Sequence, residues 1–321
     1  MATVSLVLGS GGARGYAHIG VIEEIERRGY EIVCIAGSSM GALVGGVYAA
    51  GGLSEYRDWV KGLTKFEIFR LLDIAFTRGT IRGERLFQRL DEIIGNPLIQ
   101  SLPIDYTAVA TDIVRQKEVW FQAGPLQTAM RASVAVPGFF TPYVHEHRIL
   151  VDGGVLNPLP IIPTVASHAD LIIAVDLNAR DPRHDVLDLP DNAYLNRSGI
   201  SDSWSLGSTQ NGNGNGSGNG NGSGGDGNGR GSNGCASRDG CSVKKGPPRV
   251  GGRIDVLLDS VEVMQGSLAQ YKIAGYPPDL VISIPHDLCH FFEFYRATEV
   301  IEVGRQVARE RLEALEQGML N

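Results

Sequence analysis

The chain opens on an alternation of short apolar runs and longer amphipathic ones. Residues 4–8 are apolar except for Ser5 and of strand length, residues 15–28 carry Ile19, Ile22 and Ile25 at helical spacing, and residues 32–36 are apolar again. This pattern predicts a β-α-β start, with Gly29 closing the first helix. A small-residue helix is expected over 42–50. Amphipathic helices are expected over 54–63, with Ser54 as N-cap, and over 84–94, closed by Gly95. Strands follow at 106–112, 118–122, 148–151 and 171–177, with a helix at 126–134. The expected fold class is α/β, a central mostly parallel or mixed sheet with helices on both faces.

From 207 to 234 this periodicity stops, and Asn, Gly and Ser replace every large apolar side chain. Such a stretch cannot bury enough surface to order itself, so it reads as disordered, within a polar linker over 184–250. As a flexible coil it would leave its ends on the order of 30 Å apart, enough to join elements on opposite sides of one domain. The remainder, a helix at 254–271, a strand at 280–284 and a helix at 297–315, is too little for a separate core. The expectation is one domain over 1–321.

Composition narrows the classes. With 43% hydrophobic and 20% charged residues the chain is of globular type. A net charge of -7 argues against a nucleic-acid partner. No run approaches the roughly 20 apolar residues that span a bilayer. The first eight residues lack a basic leader and run into glycines, so no export is expected. Cys34 and Cys289 have apolar neighbours, and Cys235 and Cys241 lack zinc-site spacing, which suits a reduced cytoplasmic protein without a metal.

Two glycine clusters carry the candidate chemistry. Gly37-Ser38-Ser39-Met40-Gly41 fits G-x-S-x-G between an apolar strand and a helix. Gly37 and Gly41 would clear the sharp turn, leaving Ser39 at a helix N-terminus whose dipole favours developing negative charge. Ser38 is excluded by the spacing. The second cluster, Gly9 to Gly15, sits after the first strand, where its N–H groups could surround an anion. A nucleotide phosphate is one reading, but G-x-G-x-x-G is poorly met and no acidic residue closes the following strand. An oxyanion hole unites both clusters in one site and is preferred.

Serine needs a base. Asp152, at a strand end before Gly153-Gly154, is the first candidate, and His168, His184, His286 and His290 follow it in the order a triad would require. Arg14 reads either as a phosphate-orienting group or as a solvated helix-start residue. Phe139, Phe140, Phe291, Phe292 and Phe294 read as core before they read as an acyl channel.

The glycine turn, Gly37-Ser38-Ser39-Met40-Gly41 and Asp152-Gly153-Gly154, in this order, resemble the patatin-like phospholipase family. The resemblance extends over roughly residues 4–177, includes the loop Ala135-Val136-Pro137-Gly138-Phe139-Phe140, and is nearest to bacterial members akin to neuropathy-target-esterase catalytic domains. It implies a patatin-like three-layer fold and a Ser39-Asp152 dyad instead of a triad. It further implies oxyanion donation from the backbone of Gly11, Gly12, Ala13 and Arg14, and a lipid or lysophospholipid substrate. No ligand cluster suggests a cofactor, and any membrane contact is expected to be transient, at the inner membrane surface. Where the family has three glycines, this chain has Ser10-Gly11-Gly12. A non-catalytic regulatory or lipid-binding protein on the same scaffold is the rival reading, and the oligomeric state is left open.

Overall fold

The computed structural model describes residues 2–71, 74–75, 80–81, 83–179 and 253–318. The chain divides into two units, Met1–Leu187 with Arg253–Asn321, and Asp188–Gly252. The second unit, with it the 207–234 stretch, Cys235 and Cys241, lies outside the described residues, as does His184 of the first.

In chain order the elements are β1 (Thr3–Leu8), α1 (Ala17–Arg27), β2 (Glu31–Ser38), α2 (Met40–Ala49), α3 (Leu53–Lys61), α4 (Lys65–Leu71), β3 (Ile74–Ala75), β4 (Thr80–Ile81) and α5 (Glu84–Ile94). Then come β5 (Asp105–Asp112), β6 (Lys117–Phe121), α6 (Leu126–Ser133), β7 (Tyr143–His145), β8 (Arg148–Asp152), β9 (Leu171–Ala179), α7 (Arg253–Gly275), β10 (Leu280–Pro285) and α8 (Ala297–Glu316). Short 3-10 turns at Gly12–Tyr16 and Gly153–Val155 flank the site.

The main sheet runs β10-β9-β1-β2-β5-β8-β7, with β6 also paired to β5. Its β10-β9-β1-β2-β5 portion is parallel, whereas β6, β7 and β8 join antiparallel, so the sheet is mixed. Strand alternation sorts the core into layers. Val4, Leu6 and Leu8 of β1 join Ile19, Ile22, Ile25, Leu43 and Val300 on the face covered by α1, α2 and α8. Val7 points the other way, toward Leu159, Ile161 and Ala269 of α7. Both faces being covered explains why the parallel strands read as unbroken apolar runs.

Some boundaries differ from expectation. Gly52, not Ser54, occupies the N-cap of α3, and the Ser54 hydroxyl turns to Glu55 instead. The helix α4 and strands β3, β4 and β7 carry too few residues to show a period. The helix expected to begin at Gly15 is preceded by the 3-10 turn from Gly12, which keeps the glycine cluster short of a regular helix.

Candidate active site

The sheet itself brings the serine and the aspartate together. Along one edge of β5, β2 ends with Ser38 opposite Val109, and β8 ends with Asp152 opposite Ala110. The other edge of that part of β5 is occupied by β6, so β2 and β8 share an edge and meet end to end. Residues 113 positions apart are thereby placed face to face: the Ser39 hydroxyl donates to Asp152 Oδ2 at 2.5 Å.

Ser39 itself is held in a conformation that side chains rarely adopt, with φ 55° and ψ -125°. The turn persists because its surroundings specify it. The Ser39 N–H donates to Ser133 Oγ at 2.9 Å, the Ser133 hydroxyl donates to the Val109 carbonyl at 2.6 Å, and Leu43 N–H reaches Ser39 O at 3.1 Å. The elbow glycines are needed for close approach: a Cβ on Gly41 would collide with the Leu8 carbonyl, and one on Gly37 with the backbone of Gly41 and Ala42. Ser38 is fully buried with an unpartnered hydroxyl and does not line the pocket that Ser39 faces.

Asp152 is 2% exposed. Its N–H donates to Ala135 O at 2.9 Å, and its Oδ1 accepts from Gly154 N–H at 2.7 Å. Burial pushes its carboxyl up to about 7, opposed by the hydrogen bonds from Ser39 and Gly154. No histidine among the described residues hydrogen-bonds either group. His168, His286 and His290 are exposed. His18 is buried, bonded to the Gly9 carbonyl at 2.9 Å, and burial lowers it to about 4.

The Gly9–Gly15 loop is fastened from several sides. Gly9 N–H donates to Val175 O at 3.0 Å, Ser10 N–H to Pro158 O at 2.8 Å, and Asn178 Nδ2 to Ser10 O at 2.9 Å. The Ser10 hydroxyl, where the family has glycine, donates to Gln265 Oε1 at 3.2 Å. Of the four backbone donors expected here, two are engaged: Ala13 N–H with Phe291 O at 2.9 Å, and Arg14 N–H with Gly11 O at 3.2 Å. Gly11 and Gly12 N–H have no partner among the described residues. Gly12 has φ 56°, and a Cβ there would press on Phe291.

Arg14 is neither a solvated residue nor free to orient a head group. It is 1% exposed, and its guanidinium binds His286 O at 2.9 Å, Cys289 O at 3.4 Å, Asn178 Oδ1 at 3.3 Å and Glu262 Oε1 at 2.9 Å. It ties the glycine loop to β9, α7 and the segment after β10.

Ser39 opens into a cavity of about 700 Å³ including its mouth, lined by Gly12, Tyr16, Met40, Leu43, Tyr56, Trp59, Leu63, Ile68, Leu86 and Val136. Phe140, Phe291, Phe292 and Phe294 complete the wall and are half-buried; Phe139 packs on Phe292 with centroids 4.6 Å apart. Phe140, Phe291, Phe292 and Phe294 are thus cavity wall, the segments around 140 and 291–294 converging on the serine from distant parts of the chain, while Phe294 also packs against the core. Sequence reasoning also missed Ser133, Gln265 and Asn178. A polar residue on a predicted helix or strand gives no local sign of the loop it will hold.

A strained serine at a strand-to-helix turn thus stands hydrogen-bonded to a buried aspartate, near glycine N–H groups that have no partner among the described residues. The patatin-like phospholipase family pattern matches residues 6–165, and the chain belongs to that family of lipid acyl hydrolases. An uncharacterized NTE family protein of Mycobacterium tuberculosis is 46% identical over 98% of this chain and 92% of its own length. The mouse patatin-like phospholipase domain-containing protein 6 is 29% identical over 56% of this chain and 14% of its own length. The crystal structure of VipD from Legionella pneumophila superposes with a TM-score of 0.45 at 16% identity, over 54% of this chain and 49% of that one.

Proposed function

We propose that this chain is a serine esterase acting on phospholipids or lysophospholipids through a Ser39-Asp152 dyad. The observation that carries this reading is the 2.5 Å hydrogen bond from Ser39 to Asp152 at the head of an apolar cavity. Asp152 takes the Ser39 proton as Oγ attacks the ester carbonyl carbon. The tetrahedral oxyanion is met by the N–H groups of Gly11 and Gly12 and by the positive end of α2. On collapse the C–O bond breaks, and the alcohol leaves with the proton from Asp152. Water then attacks the acyl-serine, giving its proton to Asp152. The fatty acid departs as Ser39 recovers that proton.

A carboxyl titrating near 7 is a competent base at neutral pH, unlike an ordinary aspartate near 3.9. The cavity's apolar walls suit an acyl chain. Beside it, α4 contributes Ile68 and Leu71 to the wall while Phe66 on the same helix is 72% exposed. That helix is the surface we assign to transient contact with the inner face of the membrane, by an enzyme that works in the cytoplasm as one domain over 1–321. Among the described residues no helix is long and apolar enough to cross a membrane.

Fluorophosphonate labelling tests the reading. Wild type should be labelled and should hydrolyse a lysophospholipid, and folded Ser39→Ala should do neither. Labelling that survives in Ser39→Ala would overturn the nucleophile, and labelling without hydrolysis of any lipid ester would favour the lipid-binding alternative.

A further inference from the structure

The helix α7 shows two unlike faces. Leu258, Gln265 and Ala269 are buried against the molecule, and Glu262 and Gln265 reach Arg14 and Ser10 of the glycine loop. The helix is thus firmly anchored. Its opposite face is exposed and apolar: Leu257 is 54% exposed, Met264 57% and Tyr271 78%, flanked by Val256 and Val263. Between 256 and 275 the only charged residue among the exposed positions is Asp259. Surfaces depleted of charge and carrying Met and Tyr are typical of the centre of protein interfaces.

The spacing of this face says what covers it. Leu257, Ser260, Met264, Ser267, Tyr271 and Ala274 follow one another at intervals of three and four, which is a heptad seam in which large and small residues alternate. If a second copy of α7 is laid antiparallel about a two-fold axis between 265 and 266, every large residue falls opposite a small one. Leu257 meets Ala274 of the other copy, Met264 meets Ser267, and Tyr271 meets Ser260. A parallel pairing would instead set large against large and small against small. The two serines can be covered at no cost in lost hydrogen bonds, since their hydroxyls already donate to Val256 O at 2.7 Å and Val263 O at 3.1 Å.

We propose that α7 is the interface of a two-fold homodimer, formed by antiparallel pairing of this seam. The seam runs about 26 Å along the helix axis. A contact of that length buries on the order of 1,000 Å² in total, at the small end of specific interfaces, so association is reversible and concentration-dependent. Because the same helix holds the loop bearing Gly11 and Gly12, the dimer contact lies directly behind the site.

Sedimentation velocity of the full chain over micromolar concentrations should show a monomer–dimer equilibrium, and Met264→Glu should weaken it by more than about tenfold, because two uncompensated carboxylates enter the seam. Cross-linking fixes the register, in a Cys235→Ser, Cys241→Ser background. Leu257→Cys chains mixed with Ala274→Cys chains should form disulfide-linked dimers under mild oxidation. Leu257→Cys chains alone should not, since antiparallel pairing holds those positions about 25 Å apart. Self-linking of Leu257→Cys would overturn the antiparallel register. A wild-type chain that stays monomeric throughout, whether or not this face binds phosphatidylglycerol vesicles, would overturn the dimer.

Discussion

The two glycine turns that end β1 and β2 lie side by side on one sheet and do opposite things. The turn after β2 spends its glycines on close packing so that a side chain, Ser39, can be forced to φ 55° and presented. The turn after β1 presents backbone: its flanks are fastened to β9, α7 and residues 158 and 291, while Gly11 and Gly12 N–H have no partner among the described residues. The difference teaches that similar glycine-rich composition can present two unlike groups, a side chain or backbone amides. Which one results depends on whether the residue at the turn's apex has a functional side chain or only an amide.

The comparison can be broken most decisively at the side-chain turn's partner. Asp152→Asn should lower kcat by about three to four orders of magnitude, as expected when the base of a coupled pair is lost. The same substitution should stabilise the fold in alkali. The folded-state carboxyl is raised to about 7, so the wild-type contribution is most favourable below the unfolded value and is lost as pH rises through about 7. The gain from Asn is therefore at most about 4 kcal/mol at pH 8 and much smaller at pH 4. Thermal melts at the two pH values check it, and equal gains at both would refute the burial account. Wild-type kcat/KM for a neutral ester should rise with pH to a plateau above about 7.

Next comes the backbone turn. Gly12→Val should reduce kcat by about 10²- to 10³-fold, with secondary structure checked by circular dichroism in the same samples. Undiminished turnover in a folded variant would remove Gly12 from the oxyanion hole. NAD, FAD and ATP should leave the melting temperature of wild type unchanged, since the proposed mechanism aims the amides of this turn at a carbonyl oxygen and not at phosphate.

The smallest effect is expected where the serine turn is propped from behind. Ser133→Ala leaves the buried Ser39 N–H without its acceptor, a penalty of about 1–3 kcal/mol. If Ser133 positions the nucleophile, kcat should fall about tenfold with KM nearly unchanged. Equal kcat with only a lower melting temperature would make it purely structural.

The chain's linear pattern was enough to determine the β-α-β start, the elbow around Ser39 and the glycine loop, because each depends on sterics between residues a few positions apart. Gly37 and Gly41 flank the strained serine within five residues, and Ile19, Ile22 and Ile25 announce their buried face by period alone. By spacing alone Asp152 is one candidate base among several. What sets it against Ser39 is the register of β2 and β8 along the single edge of β5 that they share. Tertiary structure alone also spared Gly11 and Gly12 while engaging Ala13 and Arg14, buried Arg14 among carbonyls and Glu262, and turned the phenylalanines near 140 and 291 toward the cavity. Apart from the local Arg14 N–H bond to Gly11 O, those outcomes depend on contacts between segments more than a hundred residues apart, and no local preference along the chain encodes which distant carbonyl, edge or wall a residue will meet.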